Sequence, residues 1–185
     1  MRLFFSVPVG DEARTAASTV LRAMKRAAGD APLSWTKDEQ LHFTLAFLGE
    51  QQDETLPRLR DAAAACAGQH AFDLSLSGAG AFPNPRRPRV LWLGAAEGAR
   101  ELEELAARLR EGLVSAGFAL EERPFRAHLT VARVKPGGDR GASRALGAAP
   151  REEIARMRVD RLCLMRSQLS PHGAKHTVVD TIRLR

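Results

Sequence analysis

Cysteine is nearly missing from this 185-residue sequence. Cys66 and Cys163 stand alone, in no Cys-x-x-Cys or Cys/His spacing that could cage zinc, so the fold has to be held by its core. Buried free thiols suit that picture and a reducing cytoplasm. Long apolar runs are missing too: none approaches the ~18 residues that a membrane span needs. Met1 to Gly10 carries one basic residue and a short apolar run that Pro8 breaks and Asp11 ends, which reads as a first strand and not as a signal peptide. No membrane association is expected.

What is present is an average globular composition, 44% hydrophobic and 27% charged, at a length where one domain over 1–185 is the default. The formal charge of +6 comes mostly from arginine, whose planar fork suits phosphate. A polyanionic partner fits that charge, and so does a general compositional bias.

Periodicity predicts strands over Met1–Pro8, Leu41–Leu48, Phe72–Gly78, Val90–Gly94 and Pro124–Val134, and a terminal pair over Val159–Ser167 and Lys175–Leu184 around the turn Leu169–Gly173. Helices are predicted from Asp11, acting as N-cap, to Gly29; over about Glu54–Ala67; and over about Gly98–Ala116. The segment Phe82–Arg89 reads as a stiff loop with three prolines and the basic residues Arg86, Arg87 and Arg89. Lys135–Pro150 reads as a mobile Gly/Pro-containing loop. This order suggests an α+β protein with mainly antiparallel sheets and two similar halves.

Two segments carry the chemistry. His42-Phe-Thr-Leu-Ala-Phe-Leu48 and His128-Leu-Thr-Val-Ala-Arg-Val134 share the pattern His, apolar, Thr, apolar, Ala, any residue, apolar. Residues two apart in a strand point to one face, so His42 pairs with Thr44 and His128 with Thr130, while Phe43, Leu45, Leu129 and Val131 turn inward. If the halves pack symmetrically, two imidazoles and two hydroxyls face one cleft. That suits a phosphodiester: one histidine takes a proton from water, the other gives one to the leaving ribose oxygen, and the threonines hold the non-bridging oxygens. Arg133 adds a full charge. No metal or other cofactor is required. His172 and His176 have a metal-like separation but lie across a turn, and solvent or substrate contact is expected there.

These residues resemble the two-histidine phosphoesterase superfamily, within it the LigT-type RNA 2′,3′-cyclic phosphodiesterases historically called 2′-5′ RNA ligases. The likeness extends through Trp35–Glu50, Gly80–Gly94, Phe125–Arg133 and Ser167–Ala174. It implies a bilobal duplicated fold, two antiparallel sheets lining a central cleft with helices on the outer faces. It also implies metal-independent hydrolysis of 2′,3′-cyclic phosphate ends to 2′-phosphates, with weak reversible 2′-5′ joining, His42 as the acid and His128 as the base. The expected partner is RNA ending in a cyclic phosphate, such as tRNA fragments, or a nucleotide; no obligate protein partner is implied. Arg86, Arg87, Arg89 and His176 are candidate RNA contacts. The sequence departs from the family pattern in having no tyrosine, with Lys175-His176 after the Gly-Ala of the last hairpin and Ala127 where proline is frequent. Two alternatives stand beside this reading: a noncatalytic RNA-end or nucleotide-binding module, and a phosphodiesterase for a small cyclic nucleotide.

Overall fold

The computed structural model of the chain describes residues 1–121, 125–170 and 173–185. The first residue of the expected second histidine strand, Pro124, lies outside them, as do His172 and the tip of the closing turn. Nine strands and four helices run in the order β1 (Arg2–Pro8), α1 (Asp11–Ala28), β2 (Leu33–Trp35), β3 (His42–Glu50), α2 (Leu56–Ala64), β4 (Phe72–Phe82), β5 (Val90–Ala95), α3 (Ala99–Ser115), β6 (His128–Val134), α4 (Asp139–Gly147), β7 (Glu153–Val159), β8 (Arg161–Ser170) and β9 (Gly173–Arg183) among the described residues. They form two antiparallel sheets, ordered β3-β1-β8-β9 and β2-β6-β5-β4-β7, so the molecule is α+β.

Each sheet turns one face to helices. α1 buries Ala13, Ala17, Leu21, Met24 and Ala28 at helical spacing and packs on β7 and α4. α2 and α3 pack on each other, α2 reaching β9 and α3 reaching β3 and β4. Leu3, Phe5 and Val7 of β1 are buried in the same core as Leu102, Leu105 and Leu109 of α3. Alternation then sends Phe4 and Ser6 to the other face of the first sheet.

Four sequence expectations need correcting. Asp11 is the first helical residue and not the N-cap; Gly10 occupies that place, and Asp11 and Glu12 instead put negative charge at the positive end of the helix dipole. The supposed mobile loop after β6 contains α4. Its buried face is built from Gly141, Ala142 and Ala145, and a Cβ on Gly141 would stand 2.1 Å from that of Ala31. Small residues permit that close packing while leaving little apolar periodicity to read. β2 and β7 also escaped detection: the first has three residues, and the second, Glu-Ile-Ala-Arg-Met-Arg-Val, alternates too weakly. The chain changes sheets at Asp160, between β7 and β8.

Candidate active site

β3 and β6 carry the two histidines on different sheets and pack against each other, which brings the repeated motifs to the junction between the sheets. β2 braces β6 there. The backbone N–H of Thr36, just past β2, donates to the Val131 carbonyl at 2.9 Å and its hydroxyl donates to the Thr130 carbonyl at 3.2 Å.

Both imidazoles are held in the same way. His42 Nδ1 lies 2.7 Å from the carbonyl oxygen of Gln40, and His128 Nδ1 lies 2.6 Å from that of Arg126. A carbonyl only accepts, so each Nδ1 carries the hydrogen and each Nε2 is the nitrogen left for proton exchange. Each ring also rests on a phenylalanine of its own sheet: His42 on Phe4 of the adjacent β1 with centroids 5.0 Å apart, and His128 edge-on to Phe82 of β4, one strand beyond β5, at 4.9 Å.

Beyond that shared plan the surroundings differ. His176 of β9 stands edge-on to His42 at 5.4 Å and to Phe4 at 5.0 Å. The side-chain amide of Gln40 donates to the Ala174 carbonyl, tying the segment before β3 to the start of β9. On the other side, Trp92 packs against Phe82 at 5.3 Å and the Arg126 guanidinium lies 5.9 Å from the centre of the same ring. Burial holds the His42 pKa down at about 4, against a partial upward pull from the Gln40 carbonyl, and the His176 imidazole lowers it further. Burial also lowers His128, opposed by the Arg126 carbonyl and assisted by the Arg126 charge, and it lowers His176. With no anion bound, neutral imidazoles are favoured.

Thr44 and Thr130 are half-buried, two residues from their histidines; Thr44 pairs across to Ser6 and Thr130 to Trp92. Simple alternation would turn Arg133 away from them. A bulge prevents this: the register between β5 and β6 shifts after the Leu91↔Ala132 pair, Val131 and Ala132 are both buried, and Arg133 returns to the face of His128 and Thr130, where it is exposed. A matching shift in β3, between the Ala46 and Thr44 pairs, gives Phe47 the corresponding place, beside Phe4 with centroids 6.1 Å apart.

Arg86, Arg87 and Arg89 are exposed on the β4–β5 loop. The Asn84 side-chain oxygen accepts the backbone N–H groups of Arg86 at 3.0 Å and Arg87 at 3.1 Å, and the loop base is closed by Arg89 N–H to the Phe82 carbonyl at 2.7 Å. The loop therefore springs from the residue that backs His128. Sequence reasoning missed Phe4, Phe82, Trp92 and Phe47. The alternation of β1 was the available signal for Phe4; the ring contacts of Phe82 arise only when β4, β5 and β6 pair.

Comparison with known proteins follows the same line. The sequence model of the 2′-5′ RNA ligase superfamily matches residues 11–171. The chain is 35% identical to the RNA 2′,3′-cyclic phosphodiesterase of Methanothermobacter thermautotrophicus, over 100% of this chain and 99% of that protein. It is 37% identical to the protein of the same name from Archaeoglobus fulgidus, over 94% of each. A crystal structure from Thermus thermophilus superposes with a TM-score of 0.80 at 29% identity, covering 100% of this chain and 98% of that one. Escherichia coli LigT crystallised with 3′-AMP superposes at 0.75 and 27% identity, covering 99% and 97%.

Proposed function

The chain belongs to the 2′-5′ RNA ligase superfamily, and from that premise we propose that its cleft opens RNA 2′,3′-cyclic phosphates with His42 and His128 as an acid/base pair. The observation that carries this reading is the doubled plan of the two sites: each histidine starts a motif strand, each Nδ1 is spent on the carbonyl two residues back, and each Nε2 has no hydrogen-bond partner among the described residues.

As an RNA 2′,3′-cyclic phosphodiesterase the protein makes one bond and breaks one. The oxygen of a water attacks phosphorus while His128 Nε2 takes the water proton, and the bond from phosphorus to O3′ breaks as His42 Nε2–H protonates the departing oxygen. The product carries a 2′-phosphate and a free 3′-hydroxyl. Thr44 and Thr130 donate to the non-bridging oxygens, and Arg133 offsets the charge that accumulates on them. With the 5′-hydroxyl of a second RNA in place of the water, the new bond runs from phosphorus to O5′ while the bond to O3′ breaks as before, which gives 2′-5′ joining.

A histidine held near pKa 4 is a poor proton reservoir in an empty cleft. The cyclic phosphate supplies the remedy. Its negative charge beside the imidazole favours the charged ring and raises the pKa, so that binding of substrate loads His42 with the proton it later donates. Farther from the cyclic end, the RNA chain lies against the exposed arginines of the β4–β5 loop. The free, buried thiols Cys66 and Cys163 and the expected RNA partner support a cytoplasmic setting. No described helix is long and apolar enough to cross a membrane.

The direct test is turnover of an oligonucleotide ending in a 2′,3′-cyclic phosphate by the wild-type protein, H42A and H128A. Conversion to a 2′-phosphate by the wild type, lost in both variants, supports the reading. Unchanged turnover in either variant removes that histidine from the chemistry.

A further inference from the structure

Large hydrophobic side chains that stay exposed are few here: among the described residues they are Phe47 at 56%, Val114 at 51% and Val178 at 59%. Val114 lies on α3. Phe47 and Val178 lie on opposite edge strands of the first sheet, and the pairing register joins them. Phe47 opposes Phe4, Phe4 opposes Met165, and Met165 opposes Val178, so one residue from each of β3, β1, β8 and β9 forms a single cross-strand row. Directly opposed residues share a face, and this row is on the face of His42 and His176, because Phe4 touches both rings.

The neighbouring row is polar. Arg2 opposes Ser167 and Ser167 opposes His176, two residues along each strand from Phe4, Met165 and Val178. Three strand spacings give the apolar row a length of roughly 14 Å, room for two bases lying flat side by side but twice what one needs. Phe4 is buried in contact with the rings of His42, Phe47 and His176 and forms the floor of the row, whose exposed ends are Phe47 and Val178. Apolar seats of this kind, flanked by hydrogen-bonding groups and by Arg2, which pairs with Glu50 at 3.6 Å, and lying beside the site of phosphate chemistry, suit single-stranded nucleic acid.

We infer that the row Phe47–Phe4–Met165–Val178 seats the last two bases of single-stranded RNA, the terminal one at Phe47 and the penultimate one at Met165 and Val178, with Arg2, Ser167 and His176 along the intervening backbone. The inference rests on the phosphodiesterase reading above and narrows its substrate: the preferred substrate is at least a dinucleotide and not a cyclic mononucleotide.

The test compares kcat/KM for cytidine 2′,3′-cyclic monophosphate with that for a dinucleotide bearing the same cyclic end, in the wild type, V178S and V114S. The wild type should favour the dinucleotide by about fivefold or more, the lower end of what a seated base contributes. V178S should bring that ratio toward one, and V114S should leave it at the wild-type value. Equal use of both substrates by the wild type, or an unaltered ratio in V178S, overturns the proposal. So does a fall in sedimentation coefficient from wild type to V178S, which would make a second copy of the chain the occupant of the row. If neither substrate turns over, the phosphodiesterase reading is what has failed; calorimetry with the 2′-phosphorylated mononucleotide and dinucleotide then reads the base seat separately, and equal affinity for the two overturns it.

Discussion

His42 and His128 each supply one of two proton transfers, so loss of either imidazole should be felt in kcat more than in KM. We expect H42A and H128A each to lower kcat by about 10²–10⁴-fold in steady-state assays on a cyclic-phosphate oligonucleotide. T44V and T130V keep the shape of the side chain and remove a hydrogen-bond donor to the phosphoryl oxygens, and should lower kcat/KM by about 10²-fold. The proton bookkeeping can be watched directly. In the free protein the His42 ring should titrate at about 4 by NMR, and addition of a nucleoside 2′-phosphate should move that midpoint upward, because an adjacent anion favours the imidazolium. A midpoint that stays where it was on binding would mean that the phosphate does not load this histidine. At this scale much was legible. Strand parity puts His42 with Thr44 and His128 with Thr130 without any knowledge of the fold. Parity fails at Arg133 and Phe47, since one extra residue in each strand flips everything after it, and a bulge leaves no mark in residue types such as Val131-Ala132.

Among the elements, the β4–β5 hairpin does most to position the second histidine. Gly80 of β4 lies under the Trp92 indole, where an added Cβ would come within 2.3 Å of Cζ2. Trp92 packs on Phe82, and Phe82 backs the His128 ring. G80A should therefore destabilise the protein by about 1–3 kcal/mol in denaturant titrations and also lower kcat/KM, as overpacking pushes the indole toward the site. Gly147, where a Cβ meets nothing within 4 Å, provides the comparison: G147A should leave both quantities near wild type. The helices α1 and α3 and the motif strands were readable because leucine, alanine and alternating apolar residues repeat at clean periods. α4 was not, its buried face being Gly141, Ala142 and Ala145. β2 is too short for a period, and it pairs with a strand nearly 100 residues away.

For the molecule as a whole, the buried neutral histidine makes stability depend on pH with a defined sign. The unfolded chain takes up a proton at His42 near 6.5 and the folded chain only at about 4, so the unfolded state holds more protons between those values. Stability is therefore intact above 6.5 and falls as pH drops toward 4, by about 3 kcal/mol for this group. Denaturant midpoints of H42A should lack that part of the slope. The net charge of +6 gives a second consequence at the same scale. Neutralising Arg86, Arg87 and Arg89 together should raise KM for an RNA oligonucleotide more than for a cyclic mononucleotide, with the difference shrinking at high salt. The bilobal α+β architecture follows from the chain-long likeness to LigT-type proteins, whereas the places of β2 and β7 at the two edges of the second sheet emerge only from the structure. The central claim is tested most directly by incubating the protein, with chelator present, with an end-labelled oligonucleotide carrying a 2′,3′-cyclic phosphate and following the end group in wild type, H42A and H128A. Two-histidine catalysis requires rapid formation of a 2′-phosphate by the wild type and almost none by either variant; a 3′-phosphate product, or a variant that keeps the wild-type rate, would contradict it.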